Sequence, residues 1–122
     1  DLQECSVDAK GDLPREPVYL RIARLVQRWS AHPESQGDAG LVVGATAPEA
    51  LAELRDVCPT LPFLVPGVGA QGGDARAVVD AAVTEQGQIL VNSSRSILYA
   101  HDGDDFAEAA AEAAAELQAA LD

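Results

Sequence analysis

A chain of 122 residues, 48% hydrophobic and 23% charged, with a mean hydropathy of zero, has the composition of one globular domain and is too apolar for a disordered tail. Twenty acidic residues against eight basic ones give a formal charge of −12, and aromatic residues are only 4% of the chain, so general nucleic-acid binding and stacking on single strands are both disfavoured. No apolar run approaches the ~20 residues that span a bilayer, and no basic start leads into an apolar segment of the secretory kind; the expectation is a cytoplasmic chain without membrane or nucleic-acid partners, on which any phosphate site must be local.

Residues 1–17 mix Asp8, Lys10, Gly11, Asp12, Pro14 and Pro17 with few apolar side chains, which predicts an exposed loop, the tail of a larger unit. Val18, Ile22, Leu25, Val26 and Trp29 then fall on one face of a helix over 18–31, with Pro17 suited to its first turn. Arg21, Arg24 and Arg28 line the opposite face and read as solvated rather than as a phosphate stripe. Cys5 and Cys58 have neither metal-ligand spacing nor the density of a disulfide scaffold, so both are expected as free thiols and no metal site is expected.

Beyond the breaker-rich stretch 32–40, the pattern becomes a repeated one of apolar run, loop and helix. Leu41-Val42-Val43 leads to a helix over Pro48 to Asp56, with Thr46 and Glu49 spaced as a capping box. Phe63-Leu64-Val65 leads through Pro66 to Gly73 into a helix capped by Asp74, with Val78, Val79, Ala82 and Val83 expected inward. Ile89-Leu90-Val91 leads through Asn92 to Arg95 into a short turn ending at Tyr99. A last helix follows from about Asp104, with Phe106, Ala110, Ala113, Leu117 and Leu121 on one face.

The three runs start 22 and 26 residues apart, the spacing of βα units with short loops, and read as buried parallel strands. Continuous apolar runs without alternation predict that both sheet faces are covered. A closed barrel takes about 250 residues, leaving a small open α/β domain or the C-terminal portion, residues 41–122 forming its last three βα units, of a (β/α)8 TIM barrel. The two bare edges of a three-stranded sheet favour the barrel portion.

In such folds the chemistry lies at the C-terminal ends of the strands. The loop from Pro66 to Gly73 has four glycines in eight residues, more than a connector needs, and it feeds a helix N-terminus where free amides and the helix dipole favour an anion. Taken alone, such a loop serves equally well as a tight turn. The next strand end adds Ser93, Ser94 and Arg95: two hydroxyls, amides opening a helical turn, and a guanidinium that can donate two parallel hydrogen bonds to a phosphate. Together the two loops point to phosphate binding. His32 and His101 have no carboxylate or cysteine partner in a catalytic spacing. Asp102, Asp104 and Asp105 read as an acidic helix start, and Glu108, Glu112 and Glu116 as a solvent face.

The segments Gly40 to Thr46, Pro66 to Asp74 and Val91 to Arg95 through Tyr99-Ala100 resemble, in order and separation, the last motifs of bacterial orotidine 5′-phosphate decarboxylases. Asp1-Leu2-Gln3 resembles the stretch after that family's fifth strand. The resemblance implies a cofactor-free (β/α)8 barrel, usually a homodimer, that converts orotidine 5′-phosphate to UMP and CO2 in pyrimidine biosynthesis. It also implies that Gln71 and Arg95 hold the substrate phosphate by side chain, and Gly72 and Ser94 by backbone amides. The family's catalytic lysine and aspartates sit on early strands, and Lys10, the only lysine here, matches none of them. No catalytic residue is assigned, and this chain alone is expected to grip phosphate without decarboxylating. The alternatives are a non-catalytic phosphate- or nucleotide-binding module and an inactive barrel fragment.

Overall fold

The computed structural model describes residues 16–69 and 71–122. The opening loop up to residue 15, with Cys5, Lys10 and the stretch at 1–3, lies outside the described residues. The elements are α1 (Val18–Ser30), β1 (Leu41–Val42), α2 (Pro48–Val57), β2 (Phe63–Pro66), α3 (Ala75–Ala82), β3 (Ile89–Asn92), α4 (Arg95–Leu98) and α5 (Phe106–Leu121). The strands form one parallel sheet in the order β1-β2-β3, with Leu41 paired to Phe63 and Phe63 to Ile89. The three apolar runs therefore form neighbouring parallel strands joined by helical crossovers.

The core lies on one face of this sheet. Phe63 and Val65 of β2 are fully buried together with Leu51, Val78, Ala82 and Cys58. The other face is bare: alternate residues Val42, Leu64 and Leu90 are 72%, 40% and 65% exposed. This corrects the expectation of a sheet covered on both sides. A run of apolar residues says that both faces are apolar, but successive side chains point to opposite faces, and the described helices pack on one of them.

The helices differ from expectation in detail. In α1, Ala23 is the buried residue, with Tyr19, Leu20 and Val26 packed against the core, while Ile22 and Trp29 are exposed. The inward face is thus rotated from the predicted stripe, and the Tyr19 hydroxyl donates to Glu53 of α2 at 2.5 Å. That carboxylate partner raises the Tyr19 pKa. The α1 arginines are also less free than expected, since Arg21 and Arg24 approach Glu16 at 3.9 and 2.9 Å. The predicted capping box at α2 is absent: the N-cap is Ala47, and Pro48, with φ already set for a helix, opens the first turn. In α3, Asp74 caps as expected, accepting from the Ala77 amide at 2.7 Å, but Val83 ends the helix and is exposed. Helix α5 begins at Phe106 and buries no residue fully; Phe106 is exposed, whereas Leu117 packs against the core.

What ties these elements together is Arg55. It lies on the same face of α2 as Leu51 and Cys58 and is the buried charged residue among the described ones. Its guanidinium donates to the carbonyls of Ala82 and Leu61 at 2.7 Å and to those of Cys58 and Gln88 at 3.1 Å. It also stacks 3.8 Å from the centroid of the Phe63 ring. Cys58 and Ala82 lie at the C-terminal ends of α2 and α3, where unpaired carbonyls carry partial negative charge. Leu61 and Gln88 precede β2 and β3. One side chain therefore satisfies the chain at the N-terminal edge of two strands, and Gly87 leaves it room: a Cβ there would lie 2.5 Å from Arg55 Cζ. Burial without a carboxylate lowers the Arg55 pKa, with Cys58 acting in the opposite sense.

Replacing Arg55 by Met is expected to cost about 3–5 kcal/mol in urea unfolding, because the carbonyls of Ala82, Cys58 and Leu61 lose their donor at once, while Gln88 O keeps the Phe63 amide; a loss below about 1 kcal/mol would show the network to be incidental. The Cys58 thiol is fully buried, donates to the Ala23 carbonyl at 3.5 Å, and has its pKa raised by desolvation. It is expected to resist iodoacetamide in native buffer and to alkylate on unfolding, as followed by peptide mass mapping.

Candidate functional site

The opposite, C-terminal ends of β2 and β3 form a cleft of about 220 Å³ lined by Pro66, Gly67, Val68, Gln71, Asn92, Ser93, Ser94 and Arg95. Its two walls come from consecutive βα loops, because β2 and β3 pair in register to their ends, Pro66 opposite Asn92. The site is thus a direct consequence of parallel pairing.

The first wall is a loop that folds on itself. The Gly69 amide donates to Gly73 O at 2.9 Å, the Gly72 amide to Gly69 O at 2.8 Å, and the Gly73 amide to Gly67 O at 3.1 Å. This winding needs positive φ at Gly67 (98°), Gly69 (78°) and Gly72 (87°), a region that L side chains avoid. Gly73 is required for a different reason. A Cβ on it would stand 2.5 Å from Ala45 Cβ and 2.7 Å from the Gly67 carbonyl. The Gln71 side chain lies back over Gly67, where an added Cβ would meet its Oε1 at 2.7 Å, and this places the amide of Gln71 at the cleft.

The second wall is the turn α4, with Ser94 at its N-cap and Ser94 O accepting from the Leu98 amide at 2.8 Å. By helix geometry the amides opening such a turn find no carbonyl within it. Arg95 is exposed and has no ion-pair partner among the described residues. By contrast, Arg24 pairs with Glu16, Arg76 with Asp80, and Arg55 is spent on carbonyls. A cation without a local carboxylate, on a chain of charge −12, is free to meet an anion.

Of the four residues singled out from the sequence, Gln71, Ser94 and Arg95 line the cleft. Gly72 lies beside it with its amide engaged on Gly69 O. Sequence reasoning missed Ser96, which hydrogen-bonds to Ser93 across one turn; the i, i+3 spacing in a short helical segment was the available signal. It also missed the partner of His101, whose Nδ1 meets Asp105 Oδ1 at 2.5 Å, an i, i+4 pair around the start of α5. That pair is exposed and stands outside the cleft lining. No helix among the described residues is long and apolar enough to cross a membrane.

A family model described as "Orotidine 5'-phosphate decarboxylase / HUMPS family" matches residues 9–113. The chain is 52% identical over 106 residues to orotidine 5'-phosphate decarboxylase of Delftia acidovorans, covering 85% of this chain and 37% of that protein. It is 46% identical over 112 residues to the Cellvibrio japonicus protein of the same name, covering 90% and 37%. Among solved structures, Leishmania donovani OMP decarboxylase superposes with a TM-score of 0.69 at 34% identity, over 98% of this chain and 42% of that one. Leishmania donovani UMP synthase gives 0.70 at 36%, over 98% and 24%. The chain therefore spans little more than a third of the length of the curated relatives it matches.

The two kinds of glycine separate by substitution. Gly72 has a positive φ but open space where a Cβ would go, so Gly72→Ala should cost about 1 kcal/mol of strain. Gly73→Ala drives a methyl into backbone and should cost roughly 2–4 kcal/mol. Urea unfolding of both variants reads the order, and a Gly72 variant less stable than the Gly73 variant would contradict this packing.

Proposed function

The chain belongs to the orotidine 5′-phosphate decarboxylase family, and from that premise we propose that it supplies the phosphate-gripping loops of a decarboxylase acting on orotidine 5′-phosphate. In this reading residues 1–122 are the C-terminal part of a single barrel domain, with 41–122 its last three βα units. The observation that carries it is the meeting of Gln71 and Arg95 in one cleft at the C-terminal ends of two paired strands. A phosphate in that cleft takes side-chain hydrogen bonds from Gln71 and Arg95 and amide hydrogen bonds from Ser94 and Gly72. The Gly72 amide joins by leaving Gly69 O. The planar guanidinium matches two phosphate oxygens at once.

The bare sheet face fits the same reading, since Val42, Leu64 and Leu90 point where a closed barrel packs its interior layers. Phosphate binding then does more than anchor. Binding energy remote from the reacting carbon can be used to hold the pyrimidine ring against groups supplied by the early strands. Those groups, a lysine and aspartates, are what the resemblance requires elsewhere in the barrel. With Lys10 as the only lysine, this chain alone carries the grip and not the carbon–carbon cleavage. The reading includes a homodimer of the complete barrel and no bound cofactor.

The test is ultraviolet loss of orotidine 5′-phosphate with the chain alone and with the portion of the Delftia acidovorans relative that it does not cover. Silence alone and turnover in the complemented sample are expected. A folded complemented complex without turnover would favour a non-catalytic phosphate-binding module and remove the decarboxylase reading. In the complemented enzyme, Arg95→Ala should lower kcat/KM about 10- to 100-fold, mainly through KM, the loss expected from charge-assisted hydrogen bonds. Unchanged kinetics would remove Arg95 from the site.

A further inference from the structure

Ser93 stands in the cleft wall, yet its hydroxyl is already committed. Ser93 Oγ donates to the Val68 carbonyl at 3.0 Å, across 25 residues of sequence, and it hydrogen-bonds to Ser96 Oγ. A serine hydroxyl has one proton. With that of Ser93 on Val68 O, the second bond must use the proton of Ser96, so donation runs from Ser96 to Ser93 to the Val68 carbonyl. Neither proton is left for an anion. Among the described residues, this is also the hydrogen bond that joins the loop 67–73 to residues 93–96. The loop's other described hydrogen bonds close it on itself. Gly69, at φ 78°, brings the loop directly onto the serine pair, because a Cβ there would lie 3.2 Å from Ser96 Oγ and 3.7 Å from Ser93 Oγ.

We propose that Ser93 is a positioning residue of the phosphate site: its hydroxyl does not touch the anion but ties the glycine loop to the turn bearing Arg95, which holds Gln71 and Arg95 on the two walls of one cleft. The inference rests on the phosphate reading above and assigns a role to a residue which that reading leaves without one. Preorganised donors bind more tightly because less ordering remains to be done on binding. Ser93→Ala removes both links, Ser96→Ala removes the outer one, and Ser93→Thr keeps the donor.

The experiment is calorimetric titration of the chain with inorganic phosphate, comparing wild type with Ser93→Ala, Ser93→Thr, Ser96→Ala and Arg95→Ala, each first shown to be folded by near-ultraviolet circular dichroism. The expected order is a loss of about tenfold in affinity for Ser93→Ala, the ratio carried by roughly one net hydrogen bond, a smaller loss for Ser96→Ala, and affinity restored in Ser93→Thr. A wild type that binds phosphate and loses it in Arg95→Ala, but holds its affinity in Ser93→Ala, overturns the positioning role alone. Absence of saturable binding by the wild type overturns the phosphate reading, and this inference with it. Should Ser93→Ala not fold, a folded Ser93→Thr as weak as Arg95→Ala, or a Ser96→Ala with wild-type affinity, overturns the proposal.

Discussion

The structure depends on a guanidinium held among carbonyls. Arg55 collects main-chain oxygens from the ends of α2 and α3 and from the residues leading into β2 and β3; among the described residues only Gln88 O of these has a second donor, the Phe63 amide, and the others would lie unpaired at the edge of a small core. Leaving a buried carbonyl without a donor costs more than the bond contributes when made, so the side chain acts chiefly by preventing several such losses together. Burying it has its own cost, visible in its lowered pKa. Helix-end carbonyls and the Phe63 face offset that cost without a carboxylate.

The two ends of the sheet consequently have different work. At the N-terminal ends, the hydrogen bonds of Arg55 go to main-chain carbonyls, and the chemistry is that of stability. At the C-terminal ends, Arg95 has no described ion-pair partner and the loop after β2 is built on glycines whose φ values only glycine adopts freely. Parallel pairing connects the two: fixing the starts of β2 and β3 sets their register, and register brings Pro66 opposite Asn92, the residues from which both loops depart. The cleft is therefore positioned by contacts on the far side of the sheet.

Much of this was legible in the sequence where a local rule decides. The starts of the three strands, the Asp74 cap and the gathering of Gln71, Ser94 and Arg95 follow from apolar runs, a side-chain acceptor at a helix start, and the rule that βα loops share one end. What was not legible depends on packing. The helix over 48–56 shows Arg55 in line with Leu51 and Cys58, but a charge on an apolar face is a signal only once its carbonyl partners are in place. The bare face of β1 to β3 and the rotated face of α1 have the same origin: composition tells which residues are apolar, and neighbours decide which are covered. At α2 the helix begins at Pro48 as expected, which makes Ala47 the N-cap and leaves Thr46 one residue outside it.

The central claim is that the two loops above β2 and β3 form one anion site on a frame pinned from below. Titrating inorganic phosphate into the isotopically labelled chain and following every amide by NMR tests it directly. The account predicts saturable shifts confined to residues 66–73 and 93–96, with the amides around Arg55 unmoved. Shifts that fail to saturate, or that fall instead on α1 or the His101–Asp105 turn, would contradict it.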